Sequence, residues 1–350
     1  MNYVKITAVL IFMAFIAGCG GDSDNGITPP PPPPPPVYVA VNTTANAPDL
    51  NSIDNTVWDT VDSSDILVGA YPSTYGIDAR LGMQNVVLKA IKKNDMLYLY
   101  ARWGNDSKAN RDGNKLDMGA TDWSHLTSFG EDKLMFLFDA GNNGTEKANC
   151  ATMCHASAPI HKTTGGGKAD VWLWKSSTTA PAYLGEDQWW SDLGIASDNL
   201  TTPTTDSVYF DNWNNPGMEF GFPRYKHTTD EAFTDTILYV DDTVAFVTSE
   251  LFPSDYFMPG WVIDSTYHDE ATRESRWDIL SYSEHDPVED TWEVVLAREL
   301  NTGQLDDVDM SAVDTIQVTL GINHDHPCYS TGDINNNHSG SLPFYIILNP

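Results

Sequence analysis

Asn85-Val-Val-Leu-Lys-Ala-Ile91 is β-branched and apolar, and Met96-Leu-Tyr-Leu-Tyr-Ala-Arg-Trp103 alternates with a period close to two. Lys93-Asn94-Asp95 between them is a turn signal, so the pair predicts a β-hairpin. Leu134-Met-Phe-Leu-Phe138 reads as a buried strand ended by the turn-rich Asp139-Ala-Gly-Asn-Asn-Gly144. Further strands are expected at Asp170–Trp174, Val244–Thr248, Trp261–Asp264, Trp292–Glu299, Thr315–Ile322 and Phe344–Leu348. Helical periodicity of any length is absent, and Gly, Asn, Asp, Thr and Pro fill the intervals. The pattern predicts an all-β protein, a β-sandwich with long loop insertions. Ser176–Asp235 has little regular pattern and reads as one large insertion. Trp103, Trp172, Trp174, Trp261, Trp277 and Trp292 sit in strand-like contexts and are expected in the core. Trp189-Trp190 falls in the expected insertion, where packing under a loop is favoured over exposure.

The N-terminus has a different pattern. Lys5 precedes an apolar run from Ile6 to Ile16, too short for a stable membrane span and right for a signal peptide. Ile16-Ala-Gly-Cys19 has the apolar, small, small, cysteine order of a lipoprotein cleavage site. Residues 1–18 are therefore expected to be removed and Cys19 to carry lipid. The alternative is an ordinary signal peptide beside an unrelated cysteine. Acyl chains anchor by about 0.8 kcal/mol per buried methylene. Gly20-Gly21 after the cysteine, in place of Asp, points to the outer membrane of a Gram-negative envelope. Residues 19–36 then form a tether. Its run Pro29–Pro36 adopts polyproline II at about 3.1 Å per residue, spanning roughly 25 Å. Residues 37–350 form the folded domain.

A net charge of −30 excludes nucleic acid, whose phosphates would be repelled. It favours basic partners or, equally, suits a saline habitat. In so acidic a chain, paired carboxylates carry no signal. Asp241-Asp242, Asp306-Asp307 and Asp333–Asn337 offer calcium ligands, yet none has the spacing of a calcium loop. Nucleophile-elbow, zincin, phosphate-loop and dinucleotide motifs are absent.

Of four cysteines, one is Cys19 and one is Cys328, read as a free buried thiol. The other two form Cys150-Ala-Thr-Met-Cys154-His155. Two thiols add across the two vinyl groups of a porphyrin, and the adjacent histidine supplies the proximal nitrogen to iron. Three residues separate the cysteines where two are usual, so the extra residue must bulge. A small-loop disulfide and the start of a zinc site are the alternative readings. Candidates for a second axial ligand include Met153, His324, His326 and His338.

Several stretches, in order, resemble one family. They are Val86–Ala90 with Leu97–Trp103, Glu131–Phe138, the Cys150–His155 motif, Ala169–Lys175, Pro259–Ile263, Trp292–Leu300 with Thr302-Gly303 and Asp306–Val308, and His338–Ser341. The chain resembles the haem-binding subunit of ethylbenzene dehydrogenase and its relatives in dimethylsulfide and selenate dehydrogenases, together with free-standing cytochromes of that domain type. The resemblance implies a β-sandwich haem-binding domain with one haem near its edge. In the dehydrogenase subunits the haem is non-covalent, with methionine and lysine as axial ligands. This chain departs from that pattern. The Cys150–His155 motif stands where the methionine is expected, and His338 where the lysine is expected. Both changes imply one covalent haem c with His155 and His338 as ligands, or haem b if the thioether bonds do not form.

The expectation is a lipid-anchored c-type cytochrome of the outer membrane. It would pass single electrons to redox partner proteins, other cytochromes among them, with no bond chemistry of its own and no nucleic acid. Two other classes stay open. One is an extracytoplasmic ligand- or carbohydrate-binding lipoprotein with a Cys150–Cys154 disulfide. The other is a haem subunit of a molybdenum oxidoreductase.

Overall fold

A computed structural model describes residues 35–53, 55–68, 84–104, 115–118, 123–125, 132–140, 168–176, 178–191, 194–197, 209–214, 222–228, 237–239, 243–245, 256–259, 261–263, 277–323 and 338–350. Thirteen strands build its two principal sheets. In chain order they are β1 (Tyr38–Ala40), β2 (Ser64–Val68), β3 (Gln84–Lys93), β4 (Met96–Gly104) and β5 (Lys133–Asp139). Then come β6 (Lys168–Lys175), β7 (Glu186–Ser191), β8 (Gly194–Ser197) and β9 (Leu280–Asp286). The last are β10 (Thr291–Glu299), β11 (Thr315–Asn323), β12 (His338–Gly340) and β13 (Phe344–Ile347). The larger sheet has the order β1-β13-β11-β5-β6-β7-β8, with β12 also on β11; the smaller is β9-β10-β4-β3-β2. All described pairings in them are antiparallel except β1 with β13. The chain is thus an all-β sandwich. Among the described residues no helix is long and apolar enough to cross a membrane.

Strand periodicity explains the core. Alternate residues point to one face of a sheet. Leu97, Leu99, Ala101 and Trp103 of β4 and Trp292, Val294 and Leu296 of β10 join Leu134, Phe136, Phe138, Trp172, Trp174, Val318 and Leu320 from the other sheet in one buried cluster. Intervening positions toward the hairpin end of β4 and β10 are apolar or aromatic too, because that part of the outer face of the small sheet is also covered. Tyr98, Tyr100, Val295 and Ala297 pack under Ala45, Ile53, Trp58 and Val61 of the N-terminal segment. Trp58 lies against Tyr100, with ring centroids 5.2 Å apart. The near-continuous apolar run of β4 is thus a strand buried on both sides.

The predicted hairpin forms between β3 and β4. Its turn residues Asn94 and Asp95 have φ of 53° and 62°, the left-handed pair that matches the twist of antiparallel strands. At the same end of the strands, Asn42 joins the two sheets. Val41 N–H donates to Ile347 O at 3.1 Å, and Asn42 N–H to Ala90 O at 2.8 Å.

The stretch Ser176–Asp235 differs from its reading as an insertion. Its first part carries β7 and β8, which extend the large sheet beyond β6. Trp189 and Trp190 are buried strand residues. Their pattern was obscure because β7 mixes Glu186, Asp187 and Gln188 with the tryptophans, and some of those polar groups are buried. Shorter pairings lie at Tyr209–Asp211 with Trp261–Ile263, and at Lys115–Met118 with Tyr256–Pro259.

Gly185, just before β7, is a close approach between layers. Its N–H donates to Ile279 O at 2.8 Å, and a β-carbon there would lie 2.6 Å from Ile279 Cγ2. Ile279 is fully buried and has no room to retreat. Gly185→Ala is expected to destabilise the domain by about 1–3 kcal/mol, as overpacked cores do. Urea denaturation beside the wild type measures it, and an unchanged midpoint would refute the constraint.

Candidate functional site

Cys19, Cys150, Cys154 and His155 lie outside the described residues, as do Met153, His324, His326 and Cys328. What is described is the root of the connection that carries the thiol motif. It leaves β5 at Ala140, whose N–H donates to Lys168 O at 3.1 Å where the chain returns in β6. His338 is the first residue of β12 and pairs with Asn323 of β11. Asn323 in turn pairs with Lys133, the first residue of β5. His338 and the root of the connection therefore stand at opposite ends of β5, a seven-residue strand that rises roughly 20 Å. From Ala140 to His155 the chain reaches up to about 50 Å when extended, so it is long enough to return to the His338 end. The donor set, two thiols and an adjacent imidazole, has the chemistry of covalent haem attachment.

The strongest electrostatic feature at the root is one that the sequence reading passed over. Arg298 follows Trp292, Val294 and Leu296 at two-residue steps on β10, so strand periodicity points it into the sandwich. It is fully buried. Asp170 of β6 holds it with two bonds, Nη2 to Oδ2 at 2.5 Å and Nη1 to Oδ1 at 3.1 Å. Asp187 of β7 accepts a further short bond from Nη1, and Asp307 Oδ1 lies 3.3 Å from it. The guanidinium carbon sits 4.9 Å from the centre of the Trp172 ring, which closes the apolar side. Asp170 Oδ2 also accepts Val308 N–H at 2.9 Å, so the segment after β10 is tied to the same group.

Oxygens of Asp170, Asp187 and Asp307 lie within 4.8 Å of one another, close enough to hold a metal ion. Arg298 Nη1 is bonded or paired to all three, so the guanidinium fills the place a cation would take. The cluster is a carboxylate cage for an arginine. Asp307, of the Asp306-Asp307 pair considered above for calcium, is part of it.

Among the described residues, carboxylates outnumber the one guanidinium in the cage. Asp278, in the segment before β9, is a fourth carboxylate near Arg298. Burial raises Asp187 well above the usual carboxylate range; Arg298 opposes this, and Asp170 and Asp307 add to it. Burial likewise raises Asp307. Asp278 is pushed up to about 7, by burial first, against the pull of Arg298. Burial disfavours the Arg298 cation, but Asp170, Asp187 and Asp307 outweigh it and hold the guanidinium charged.

Sequence reasoning discounted carboxylates because they were so common. The available signal was Arg298, a charge at an inward position of an apolar strand, which requires a buried counter-charge. The cage also bears on the thiol motif, since Asp170 lies two residues beyond Lys168, where that connection re-enters the sheet.

The sign of the pH effect follows from Asp278. Its carboxyl binds a proton more tightly folded than unfolded, so stability is full below about pH 4 on this account. It falls as pH rises from about 4 to about 7, and is level above that. Asp278→Asn is expected to flatten this slope and to raise the melting temperature above pH 7 relative to wild type. Thermal melts across pH 4–8 test it; parallel curves for the two proteins would refute the assignment.

A family model described as ethylbenzene dehydrogenase matches residues 55–328. The match takes in β2 to β11, the Cys150–His155 motif and the Arg298 cage, and stops short of His338. No curated protein matches the chain significantly. With most of its length under that one family model, the chain belongs to the ethylbenzene dehydrogenase family.

Proposed function

We propose that this protein is a single-electron carrier with one covalently attached haem, tethered to the cell envelope by lipid on Cys19. The observation that carries the reading is Cys150-Ala-Thr-Met-Cys154-His155 within a chain of the ethylbenzene dehydrogenase family. Cys150 and Cys154 would form the thioethers, His155 the proximal ligand and His338 the distal one. When bound, the haem supplies one reversible electron. With both axial positions filled by histidine, no iron site is left for a substrate, so electron transfer is the activity. The surplus of carboxylates steers the protein toward basic redox partners such as other cytochromes, the more so at low salt. If the thioethers do not form, the same site holds haem b.

The Arg298 cage supports this reading in a structural role. Asp170 is fixed by Arg298 and Val308, and that rigidity passes to the strand on which the thiol-bearing connection ends. A carrier of this kind benefits from a stiff frame, because a ligand set that does not move keeps its potential constant.

A pyridine haemochrome spectrum with a haem-stained denaturing gel tests the proposal on protein made with a haem-maturation system. Haem is expected to stay with the denatured chain. Cys150→Ser with Cys154→Ser should release it to extraction, and Cys19→Ser should move the protein from the membrane to the soluble fraction. Protein without any haem would overturn the reading. Its two cysteines in a disulfide would then favour a ligand-binding lipoprotein.

The family match also favours a second reading, a haem subunit of a larger molybdenum oxidoreductase. Affinity purification from the native envelope separates the two. A stoichiometric large catalytic partner supports the subunit, and a lone haem protein supports the free carrier.

A further inference from the structure

Three buried indoles meet at the end of the sandwich marked by Gly104, Thr291 and Lys133. Trp103 of β4 and Trp292 of β10 are cross-strand partners, and Trp174 of β6 faces them from the opposite sheet. Ring centroids are 6.0 Å apart for Trp103 and Trp174, and 5.0 Å for Trp174 and Trp292, both edge to face. A fourth ring continues the file outward. His285 of β9 lies 4.9 Å from Trp292, is 12 % exposed, and has Nε2 3.0 Å from Asp290 Oδ1 on the surface hairpin. The four rings thus lead from the core to solvent.

Within the cluster one indole differs from the other two, and it bonds a carboxylate where Trp190 Nε1, on β7, bonds the amide oxygen of Gln188. Nε1 of Trp58, Trp103, Trp172 and Trp174 is buried without a hydrogen-bond partner among the described residues. Nε1 of Trp292 donates to Asp132 Oδ2 at 2.9 Å, and both residues are fully buried. Asp132 is placed by its backbone, whose carbonyl accepts Ser176 N–H at 2.9 Å where β5 and β6 meet. Among the described residues four buried indoles have no such bond, so an indole N–H facing a buried carboxylate is a distinct arrangement. Burying a carboxylate is costlier than leaving an indole N–H bare.

The pair has the geometry that an oxidised indole requires. Loss of one electron makes the ring cationic and its N–H strongly acidic. An adjacent carboxylate stabilises that charge and accepts the proton. We propose that Trp292 is a redox site of this protein, the place where one-electron oxidation of the domain comes to rest. Trp174 and Trp103 feed it, and His285 brings it within one ring of the surface.

The oxidant is a one-electron acceptor strong enough for indole, of the class of oxygen-derived radicals or photo-oxidised ruthenium polypyridyls. It takes one electron from the Trp292 ring. The Nε1–H bond breaks and an O–H bond forms on Asp132 Oδ2. The products are the reduced oxidant, a neutral indolyl radical and a neutral carboxylic acid. A one-electron reductant such as a thiolate reverses the step, and the proton returns to nitrogen. This site stands apart from the haem reading and requires no haem.

Flash photolysis of the full-length protein with ruthenium tris-bipyridine and an electron-accepting quencher tests it, on preparations with and without bound haem. The expected transient is a long-lived neutral tryptophanyl radical. Trp292→Phe should lose that transient, whereas Trp103→Phe should keep it. Asp132→Asn preserves shape but cannot take the proton, and should give the protonated radical cation with faster decay. If Trp292→Phe fails to fold, the spectrum of Asp132→Asn decides. An unchanged neutral radical in either Trp292→Phe or Asp132→Asn would overturn the proposal. Absence of haem with the radical intact would overturn only the carrier reading.

Discussion

A single guanidinium buried between two sheets organises much of this molecule. Arg298 cannot be left unpaired in the interior, because an isolated charge there costs several kcal/mol even after relaxation. Its partners come from four places in the chain: Asp170 on β6, Asp187 on β7, Asp307 after β10, and Asp278 before β9. Each brings its backbone with it. The outer part of the large sheet, the segment after β10 and the approach to β9 are held together by one charge. Removing it would leave several carboxylates without their cation, so the cage is far harder to remove than to keep. Such a cluster adds little net stability over well-packed apolar side chains. What it confers here is position.

Around that charge the packing is aromatic and two-sided. The small sheet is covered on its inner face by the other sheet and on its outer face by the N-terminal segment around Trp58. The chain is strongly acidic, yet eight tryptophans are buried among its described residues. Large rings fill the space between sheets, and among the described residues several indole N–H groups have no hydrogen-bond partner. Against that background the Trp292–Asp132 bond sets an indole N–H against a buried carboxylate.

The two ends of the sandwich have different characters. One end bears the Arg298 cage and the root of the thiol-carrying connection. The other bears His338 on β12, the three indoles and the Asp132–Trp292 pair. For the proposed carrier, this arrangement means that its two histidine ligands come from segments anchored at opposite ends, and the long connection between β5 and β6 provides the length for them to meet.

Read alone, the chain determined the all-β class, the β3–β4 hairpin with its Asn94-Asp95 turn, and most of the core. These depend on local alternation and on turn chemistry, which neighbouring residues carry without help. It also supplied the thiol motif and the family, since both are written in contiguous residues. Only the tertiary structure decided that β7 and β8 belong to the sandwich, that Trp189 and Trp190 are buried, and that Asp170, Asp187, Asp278 and Asp307 surround Arg298. Those facts turn on which carboxylates, among many identical ones, meet a single cation across two sheets. No local pattern distinguishes Asp187 from an exposed aspartate. The difference lies in desolvation and in contacts between residues more than a hundred positions apart, and these exist only once the chain has folded.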